Sequence, residues 1–225
     1  MDDTPLVSIL MNCFNGERYL NEAIDSIYAQ TYQNWEVVFW DNASTDRSAS
    51  IAKGYDKRIK YYLAPETTPL GEARNLALEK SDGQYIAFLD CDDIYLPDKL
   101  EQQVNLMQSK DYAMCYGSVV IIDENGNLIK KNFVKNKSGN VFSSLLRRYE
   151  INMQTVMLKR GFVISNHLSF NTSMSYCPDY NLFMTIASKA DVGVIIDVIA
   201  KYRIVSNSLS KKTINIAGSE VKYTL

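Results

Sequence analysis

Short apolar segments alternate with segments of helical periodicity through the first half of the chain, and this order restricts the fold more than any other feature. Residues 6–11, 35–40, 59–63 and 84–89 are rich in β-branched and aromatic side chains and predict strands. Segments 17–30, 44–54 and 69–80 lie between them and have the apolar spacing or capping residues of helices. Alternation of this kind is typical of βαβ units, which predicts an α/β fold with a mostly parallel central sheet flanked by helices.

The second half follows a less regular order. The pattern predicts helices over 97–108, 141–149 and 178–190, strands over 113–122 and 153–158, and one or two strands within 192–205. Asn125-Gly126 predicts a hairpin turn over 123–127, and the polar segment 130–140 predicts a loop. We therefore expect one domain over residues 1–225, with a nucleotide-fold-like half over about 1–122 and a smaller α+β half over about 123–225.

Composition excludes several classes of protein. The 225 residues carry a formal net charge of −2, which does not favour a nucleic-acid partner. The four cysteines are widely spaced, without a Cys-x-x-Cys pair, which argues against a zinc site and against a secreted disulfide framework. The N-terminus is acidic where a signal peptide is basic, and the apolar runs are too short to cross a membrane. These observations predict a cytoplasmic protein.

Charge is unevenly distributed along the chain. Residues 125–170 contain eight Lys or Arg and one acidic residue, Glu150, a local balance of +7. This segment is either an ordinary solvated face or a surface that attracts an anionic acceptor or the inner face of a membrane.

The segment FLDCDD, residues 88–93, ends an apolar run in three carboxylates. In an extended chain Asp90 and Asp92 point to one face and Asp93 to the other. Two convergent carboxylates at the carboxyl end of a strand suit Mg²⁺ or Mn²⁺, with ligand phosphates completing the coordination. The alternative is a solvated turn in which one Asp acts as a cap.

Other polar and aromatic residues follow predicted strands. Asp41 follows the strand over 35–40 and is either a hydrogen-bond acceptor for a nucleobase or a helix cap. Phe14 follows the first strand and either packs on a flat base or belongs to the core. Arg74, in LGEARN, is either a cation for a phosphate or the Asp cluster, or a surface helix residue.

Taken in order, VSILMNCFNGERYLNEAIDSIYAQTYQNWEVVFWDNASTD and GEARNLALEKSDGQYIAFLDCDD closely resemble family 2 of the glycosyltransferases, and the similarity runs in register from about residue 6 to 210. The resemblance implies the GT-A fold and an inverting, metal-dependent transfer of a sugar from a nucleoside diphosphate sugar to an acceptor hydroxyl. By family habit the donor is a UDP-sugar and the acceptor is a glycan or a lipid-linked sugar of surface polysaccharide or glycoconjugate synthesis. The two halves then bind donor and acceptor respectively.

The resemblance also implies roles for particular residues. The nucleotide site is expected to contain Asn12, Phe14, Asn15, Asp41, Arg74 and Asp90. Asp92, with Asp90, is expected to bind Mn²⁺ or Mg²⁺. CPDYNLFMTIA matches the family's Glu-Asp motif, so Asp179 is the implied catalytic base that takes the acceptor proton. From the residues alone, the preferred interpretation is a carboxylate stabilised at a helix N-terminus.

Three positions depart from the family pattern. Asn12 stands where many relatives have Pro, Pro178 where the motif has Glu, and Val205 where many relatives have a His near the metal or diphosphate. The single histidine, His167, is predicted in a loop without a chemical role.

These departures leave a rival reading from another class, a catalytically weak nucleotide-sugar-binding domain of a larger assembly. A nucleotidyltransferase has no support, because no Gly-rich phosphate loop with a Lys follows the first strand.

Overall fold

The computed structural model describes residues 4–174 and 177–205. Its first half contains four strands and three helices in the predicted order. The strands are β1 (Val7–Cys13), β2 (Trp35–Asp41), β3 (Ile59–Leu63) and β4 (Tyr85–Phe88), and the helices are α1 (Leu20–Tyr28), α2 (Ser48–Lys53) and α3 (Leu70–Glu79). The strands pair in parallel in the order β3-β2-β1-β4, which confirms the α/β prediction.

The second half continues the same sheet. Its strands are β5 (Ile94–Tyr95), β6 (Met114–Ile122), β7 (Leu128–Asn132), β8 (Met157–Lys159) and β9 (Val192–Arg203). Its helices are α4 (Lys99–Ser109), α5 (Phe142–Arg147), α6 (Arg160–Ser165) and α7 (Pro178–Lys189), with a 3-10 turn at Met153–Thr155.

Several strand pairs join the two predicted halves, which meet at about residue 122. β8 lies antiparallel between β4 and β6, β9 runs parallel to β6, and β7 pairs with β6 as a hairpin. Within the described residues the two predicted halves therefore share a single sheet. The last twenty positions of the predicted second half, 206–225, lie outside the described residues.

Both faces of the sheet are covered, so its central strands are largely apolar. In β1, Leu10 packs into a cluster with residues of α3, α5 and α7, while its neighbour Ile9 packs into a second cluster with residues of α1 and α4. All seven residues of β2 are buried for the same reason. A parallel sheet buried on two faces produces continuous apolar runs rather than alternation, which explains the strand signals in the sequence.

Several local predictions were wrong. The segment 153–158 begins as a 3-10 turn, and the predicted loop over 130–140 contains the end of β7. The helix predicted from residue 44 starts at Ser48, because residues 44–47 form the turn that precedes it. No sequence pattern predicted β5 or α6, because both elements are too short for periodicity to appear.

Candidate active site

The carboxyl ends of β1, β2 and β4 meet at one edge of the sheet. Cys13 pairs with Asp41 across β1 and β2, and the Asn42 N–H donates to the Cys13 carbonyl at 2.8 Å. Next to them, the Leu89 N–H donates to the Leu10 carbonyl at 3.1 Å, which carries the ladder one residue beyond β4. This edge of a parallel sheet is where open α/β folds bind their ligands.

Arg74 lies between two carboxylates at this edge. Its Nη2 is 3.3 Å from Asp90 Oδ1, and its Nη1 is 3.7 Å from Asp179 Oδ1. Arg74 is only 5% exposed, which excludes a surface helix residue. Because a buried guanidinium needs anionic partners, its position fixes the two carboxylates near each other. The structure thus joins the candidate donor site to the candidate base.

A close approach of α3 to the start of α7 produces this arrangement. A Cβ on Gly71 would lie 2.8 Å from the Asn171 carbonyl oxygen and 3.1 Å from Pro178 Cβ, so the glycine allows the contact. One turn further along α3, the Asn75 side chain donates to the Phe170 carbonyl at 3.0 Å and accepts from the Phe170 N–H at 2.8 Å. These two contacts hold the segment before Asp179 against the helix that carries Arg74.

Asp179 lies in the first turn of α7. Pro178 is at the start of that helix, where its fixed φ and missing N–H are tolerated. Burial raises the pKa of Asp179, the Arg74 charge opposes that rise, and the Asp90 charge adds to it. A carboxylate with a raised pKa is a better proton acceptor than an exposed one.

The three carboxylates of the FLDCDD segment lie in a tight turn rather than in the extended chain expected from the sequence. The Asp93 N–H donates to the Asp90 carbonyl at 3.1 Å. Burial, followed by the Asp90 charge, raises the pKa of Asp92 to about 6, so these two carboxylates interact as predicted. Asp93 points away into the protein, where it is 1% exposed and accepts the Arg203 N–H at 2.8 Å.

Arg203 is a residue of this site that sequence reasoning missed. It is 2% exposed, and its Nε donates to the Asp92 carbonyl at 2.9 Å while Nη2 bonds Glu22 on α1 at 2.5 Å. Its Nη1 also reaches the carbonyls of Asp123 and Glu124 in the β6–β7 turn. The only sequence signal was its place two residues before Val205, which is half-buried beyond the end of β9.

The pair Asp90 and Asp92 fits a hard divalent cation. Both donors are carboxylate oxygens, Asp90 has a side chain that is 40% exposed, and their mutual repulsion is relieved by a positive ion. Among residues 4–174 and 177–205, no cluster of three or more His, Cys, Asp or Glu side chains is arranged to hold a metal.

Asp41 has protein partners for both of its carboxylate oxygens. Oδ1 accepts the Ser44 N–H at 2.8 Å, and Oδ2 accepts the Tyr61 hydroxyl at 2.6 Å. The residue has no exposed surface. Asp41 thus shapes the turn after β2, and its role as a nucleobase acceptor stays a prediction.

The residues after β1 differ in their exposure. Phe14 is 55% exposed, which excludes a core aromatic and leaves its ring face free. Asn15, with φ of 53°, accepts the Thr45 N–H at 2.8 Å and so ties the loop after β1 to the loop after β2. The side-chain nitrogen of Asn12 is buried and has no hydrogen-bond partner among the described residues. His167 lies in an exposed turn after α6, away from these groups.

Tyr180 follows Asp179 in α7, and Tyr149 packs against Tyr180. The rings of Tyr149 and Tyr180 are tilted, with centroids 4.9 Å apart. Burial raises the pKa of Tyr149, and the Asp179 charge adds to that shift. Its hydroxyl is buried without a hydrogen-bond partner in the described part of the chain. No sequence motif marked either residue.

Comparison with known proteins decides the family. The Glycosyl transferase family 2 profile matches residues 8–175, which is most of the chain. The chain belongs to this family. The match covers β1, β2, β4 and the carboxylates of the FLDCDD segment, and so contains the first-half residues of the site.

Two curated members of family 2 are similar in sequence. An uncharacterized glycosyltransferase of Haemophilus influenzae is 39% identical over 159 residues, covering 69% of this chain and 63% of its own. The UDP-Glc:alpha-D-GlcNAc-diphosphoundecaprenol beta-1,3-glucosyltransferase WfgD of Escherichia coli is 34% identical over 213 residues, covering 93% of this chain and 81% of its own.

Solved structures confirm the GT-A fold expected of family 2. TarS of S. aureus in complex with UDP-GlcNAc aligns with a TM-score of 0.74 at 19% identity, covering 90% of this chain and 59% of TarS. The mannosyltransferase PcManGT of Pyrobaculum calidifontis, in complex with GDP-Man and Mn²⁺, aligns with a TM-score of 0.72 at 20% identity, covering 97% of this chain and 63% of its own. The chain thus spans less than two thirds of either structure.

Proposed function

We propose that this protein is an inverting, metal-dependent glycosyltransferase that moves a sugar from a nucleoside diphosphate donor to an acceptor hydroxyl. The observation that carries the proposal is the Asp90–Arg74–Asp179 arrangement at the carboxyl edge of the sheet. Arg74 is the buried cation of this arrangement. It lies between Asp90, which belongs to the candidate metal pair, and Asp179, whose pKa is raised. An inverting transfer needs both a stabilised leaving group and a base, and this edge supplies residues for each.

On the donor side, the exposed ring of Phe14 is available to stack on the nucleobase. Asn12 has an unpartnered side-chain nitrogen, and Arg74 is a cation for the diphosphate. Asp90 and Asp92 would hold Mn²⁺ or Mg²⁺, which when bound neutralises charge on the departing diphosphate. UDP is the preferred nucleotide, since the relative WfgD is named for UDP-Glc.

On the acceptor side, Asp179 takes the proton from the attacking hydroxyl. The oxygen then attacks the anomeric carbon from the face opposite the leaving group, so the configuration inverts without a covalent intermediate. Arg74 keeps Asp179 from being fully neutralised by burial, and the raised pKa gives it enough basicity to accept the proton. Pro178 begins α7 at the position where the family motif has Glu, so the proton transfer is assigned to Asp179 alone.

The acceptor class is proposed from the relatives. WfgD is named for a diphosphoundecaprenol-linked sugar, and the putative TuaG of Bacillus subtilis, 28% identical, is named for teichuronic acid biosynthesis. We therefore place the reaction in surface polysaccharide synthesis on a lipid-linked acceptor, at the cytoplasmic face of a membrane. Among the described residues no helix combines the length and the apolar character that crossing a bilayer requires.

Asp179→Asn tests the assignment of the base. Asparagine keeps the size of the side chain but does not accept the proton, so kcat/KM should fall by about 10²- to 10⁴-fold. The dissociation constant for UDP with Mn²⁺, measured by calorimetry, should stay within about twofold, because Asp179 does not bind the donor. In wild type, the acid limb of the kcat/KM profile should lie above the ordinary range of an aspartate, since its pKa is raised.

The matched control is Asp111→Asn, which alters an exposed carboxylate that pairs with Lys159 far from this edge. Its kcat/KM should match wild type. Unchanged turnover in Asp179→Asn would remove Asp179 from the reaction. Nucleotide binding without turnover by wild type, across UDP- and GDP-sugars and both lipid-linked and free acceptors, would favour the binding-domain reading instead.

A further inference from the structure

The β6–β7 hairpin exposes large apolar side chains next to lysines. Leu128, Ile129 and Phe133 are 58%, 56% and 50% exposed. Lys130, Lys131 and Lys135 lie among them and are also exposed. All five residues of β7 have open surface, since the strand extends beyond the covered part of the sheet. We call residues 128–135 the basic hairpin.

We propose that the basic hairpin docks this protein onto an anionic lipid bilayer. Apolar side chains flanked by lysines are the composition of peripheral membrane segments, in which the apolar groups enter the headgroup region and the cations meet lipid phosphates. Alternation along β7 places Ile129 and Lys131 on one face and Leu128 and Lys130 on the other. A strand entering the interface edge-on therefore carries both kinds of side chain into the lipid.

The positive charge of the basic hairpin favours an anionic bilayer over a second copy of the chain as its binding partner. β7 pairs only with β6 among the described strands, so its outer edge is open to another strand. Two copies joined at this edge would bring Lys130, Lys131 and their counterparts together, and like charges facing each other across a strand pair are destabilising. An anionic surface meets the same lysines favourably. Lys135, exposed just after β7, acts in the same direction.

Both ends of the basic hairpin are fixed to the protein, so its apolar side chains are held outward. Before it, the turn carbonyl of Glu124 accepts the Tyr19 hydroxyl at 3.1 Å, and the Glu124 carboxylate pairs with Arg18 at 3.0 Å. After it, the Val134 N–H donates to Ser118 Oγ at 3.1 Å, and the Lys135 N–H donates to Glu150 at 2.9 Å. The exposed apolar side chains therefore lie on an element whose two ends are fixed to the rest of the protein.

The hairpin base also contacts the candidate active site. Arg203 joins the carbonyls of Asp123 and Glu124 to the Asp92 carbonyl. Docking at the hairpin would hold the carboxyl edge of the sheet close to the bilayer surface, where the sugar of a lipid-linked acceptor lies. This consequence rests on the proposed function, whereas the docking itself rests on the hairpin alone.

Flotation of the full chain with lipid vesicles tests the proposal. Wild type should float with vesicles of phosphatidylglycerol and phosphatidylcholine and should stay behind with phosphatidylcholine alone. Lys130→Gln with Lys131→Gln should weaken binding about thirtyfold, at about fivefold for each lysine near the surface. Leu128→Ser with Ile129→Ser should weaken it by at least about tenfold. All four positions are exposed, so thermal unfolding should be unchanged.

The matched control is Lys57→Gln with Lys110→Gln, which removes the same charge from exposed positions away from the hairpin and should bind vesicles as wild type does. Wild type that ignores anionic vesicles, or hairpin variants that bind them fully, would overturn the proposal. Two other results would also overturn it: a wild-type dimer that is lost in the hairpin variants, or binding of residues 206–225 to the hairpin. Each would show that something other than a bilayer covers this surface.

Transfer to a short-chain, water-soluble acceptor separates this proposal from the proposed function. Hairpin variants should keep that activity at the wild-type level while losing vesicle binding. Absence of transfer in wild type that still binds vesicles would remove the enzyme assignment and leave the docking surface in place.

Discussion

Arg74 shows at the scale of one residue what sequence can and cannot predict. The prediction that it lies near a nucleotide followed from the family resemblance, and the prediction that it is attracted to the Asp cluster followed from its charge. Its simultaneous contact with Asp179 did not, because that contact depends on how α3 packs against α7. The Asp41 environment was equally hidden: the Tyr61 hydroxyl that occupies its carboxylate comes from a neighbouring strand.

Tyr149 and Tyr116 allow a comparison of how a buried hydroxyl contributes to the free energy of unfolding with and without hydrogen-bond partners. The Tyr149 hydroxyl is buried without a described partner, whereas the Tyr116 hydroxyl donates to Glu150 at 3.0 Å and accepts from Asn136 at 3.0 Å. Tyr149→Phe should leave the free energy of unfolding unchanged or raise it by up to about 1 kcal/mol, because an unsatisfied polar group is removed. Tyr116→Phe should lower it by about 1–3 kcal/mol, because two partners lose their bond.

Urea unfolding of the two variants beside wild type makes this comparison. Equal losses in both would show that the Tyr149 hydroxyl has a partner in solution. An effect of Tyr149→Phe on the acceptor KM alone, with donor binding unchanged, would place that partner in the acceptor.

At the scale of elements, periodicity predicted the segments that are long or fully buried. The strands β1, β2 and β4 and the helices α3, α4 and α7 lie within a few residues of their predicted bounds. These strands are buried on both faces and these helices have one apolar stripe, and both features leave clear patterns in the sequence. For the FLDCDD segment the sequence left a turn open as the alternative to an extended chain, and the structure has a tight turn. Its geometry comes from Asp93 turning inward to the Arg203 backbone, a contact between residues far apart in the chain.

Gly71 tests whether the α3–α7 approach sets the active-site geometry. In a helix, Gly→Ala by itself stabilises by about 1 kcal/mol. At Gly71 the added Cβ meets the Asn171 carbonyl oxygen at 2.8 Å, so the backbone must shift. Gly71→Ala should therefore lower the free energy of unfolding by about 1–3 kcal/mol and reduce kcat by separating Arg74 from Asp179.

Gly161→Ala is the control for Gly71→Ala, since it lies in α6 with nothing within 4 Å of an added Cβ. It should be neutral or stabilising by up to about 1 kcal/mol, with kcat unchanged. Chemical denaturation and steady-state kinetics on both variants give the answer. A stable, fully active Gly71→Ala protein would show that α7 is free to shift without changing the site.

For the whole molecule, the shared sheet explains why two dissimilar halves form one site. The donor-side residues stand on strands of the first half, the candidate base on α7 of the second, and β8 joins the two by pairing with β4 and β6. The sequence predicted most of these strands, including one over 153–158 that overlaps β8, but not that they share one sheet, because pairing between segments far apart in the chain leaves no local pattern. Arg203, the last residue of β9, then fastens the second half to Glu22 on α1.

A third buried basic residue, after Arg74 and Arg203, is expected to make the stability of the whole fold depend on pH. Lys99 has no exposed surface, its Nζ lies 4.0 Å from the Tyr95 ring centroid, and it hydrogen bonds to Gln103. Burial lowers the pKa of Lys99 from 10.5 to about 7. Between those values the unfolded chain binds more protons than the folded one, so this lysine makes the free energy of unfolding rise with pH across that window. Below about pH 7 the fold must carry the buried charge, and the lysine then opposes folding.

The effect of Lys99→Met on the free energy of unfolding should therefore change sign with pH. At about pH 6 the variant should be more stable than wild type by roughly 2 kcal/mol, because the buried charge is gone. At about pH 9 it should be less stable by about 1 kcal/mol, because a neutral lysine bonds Gln103 and methionine does not. Lys110→Met, at an exposed position, should differ little from wild type at either pH. Urea unfolding at the two pH values decides the matter: a difference that does not vary with pH would mean that Lys99 keeps its proton throughout, stabilised where it lies by the Tyr95 ring and Gln103.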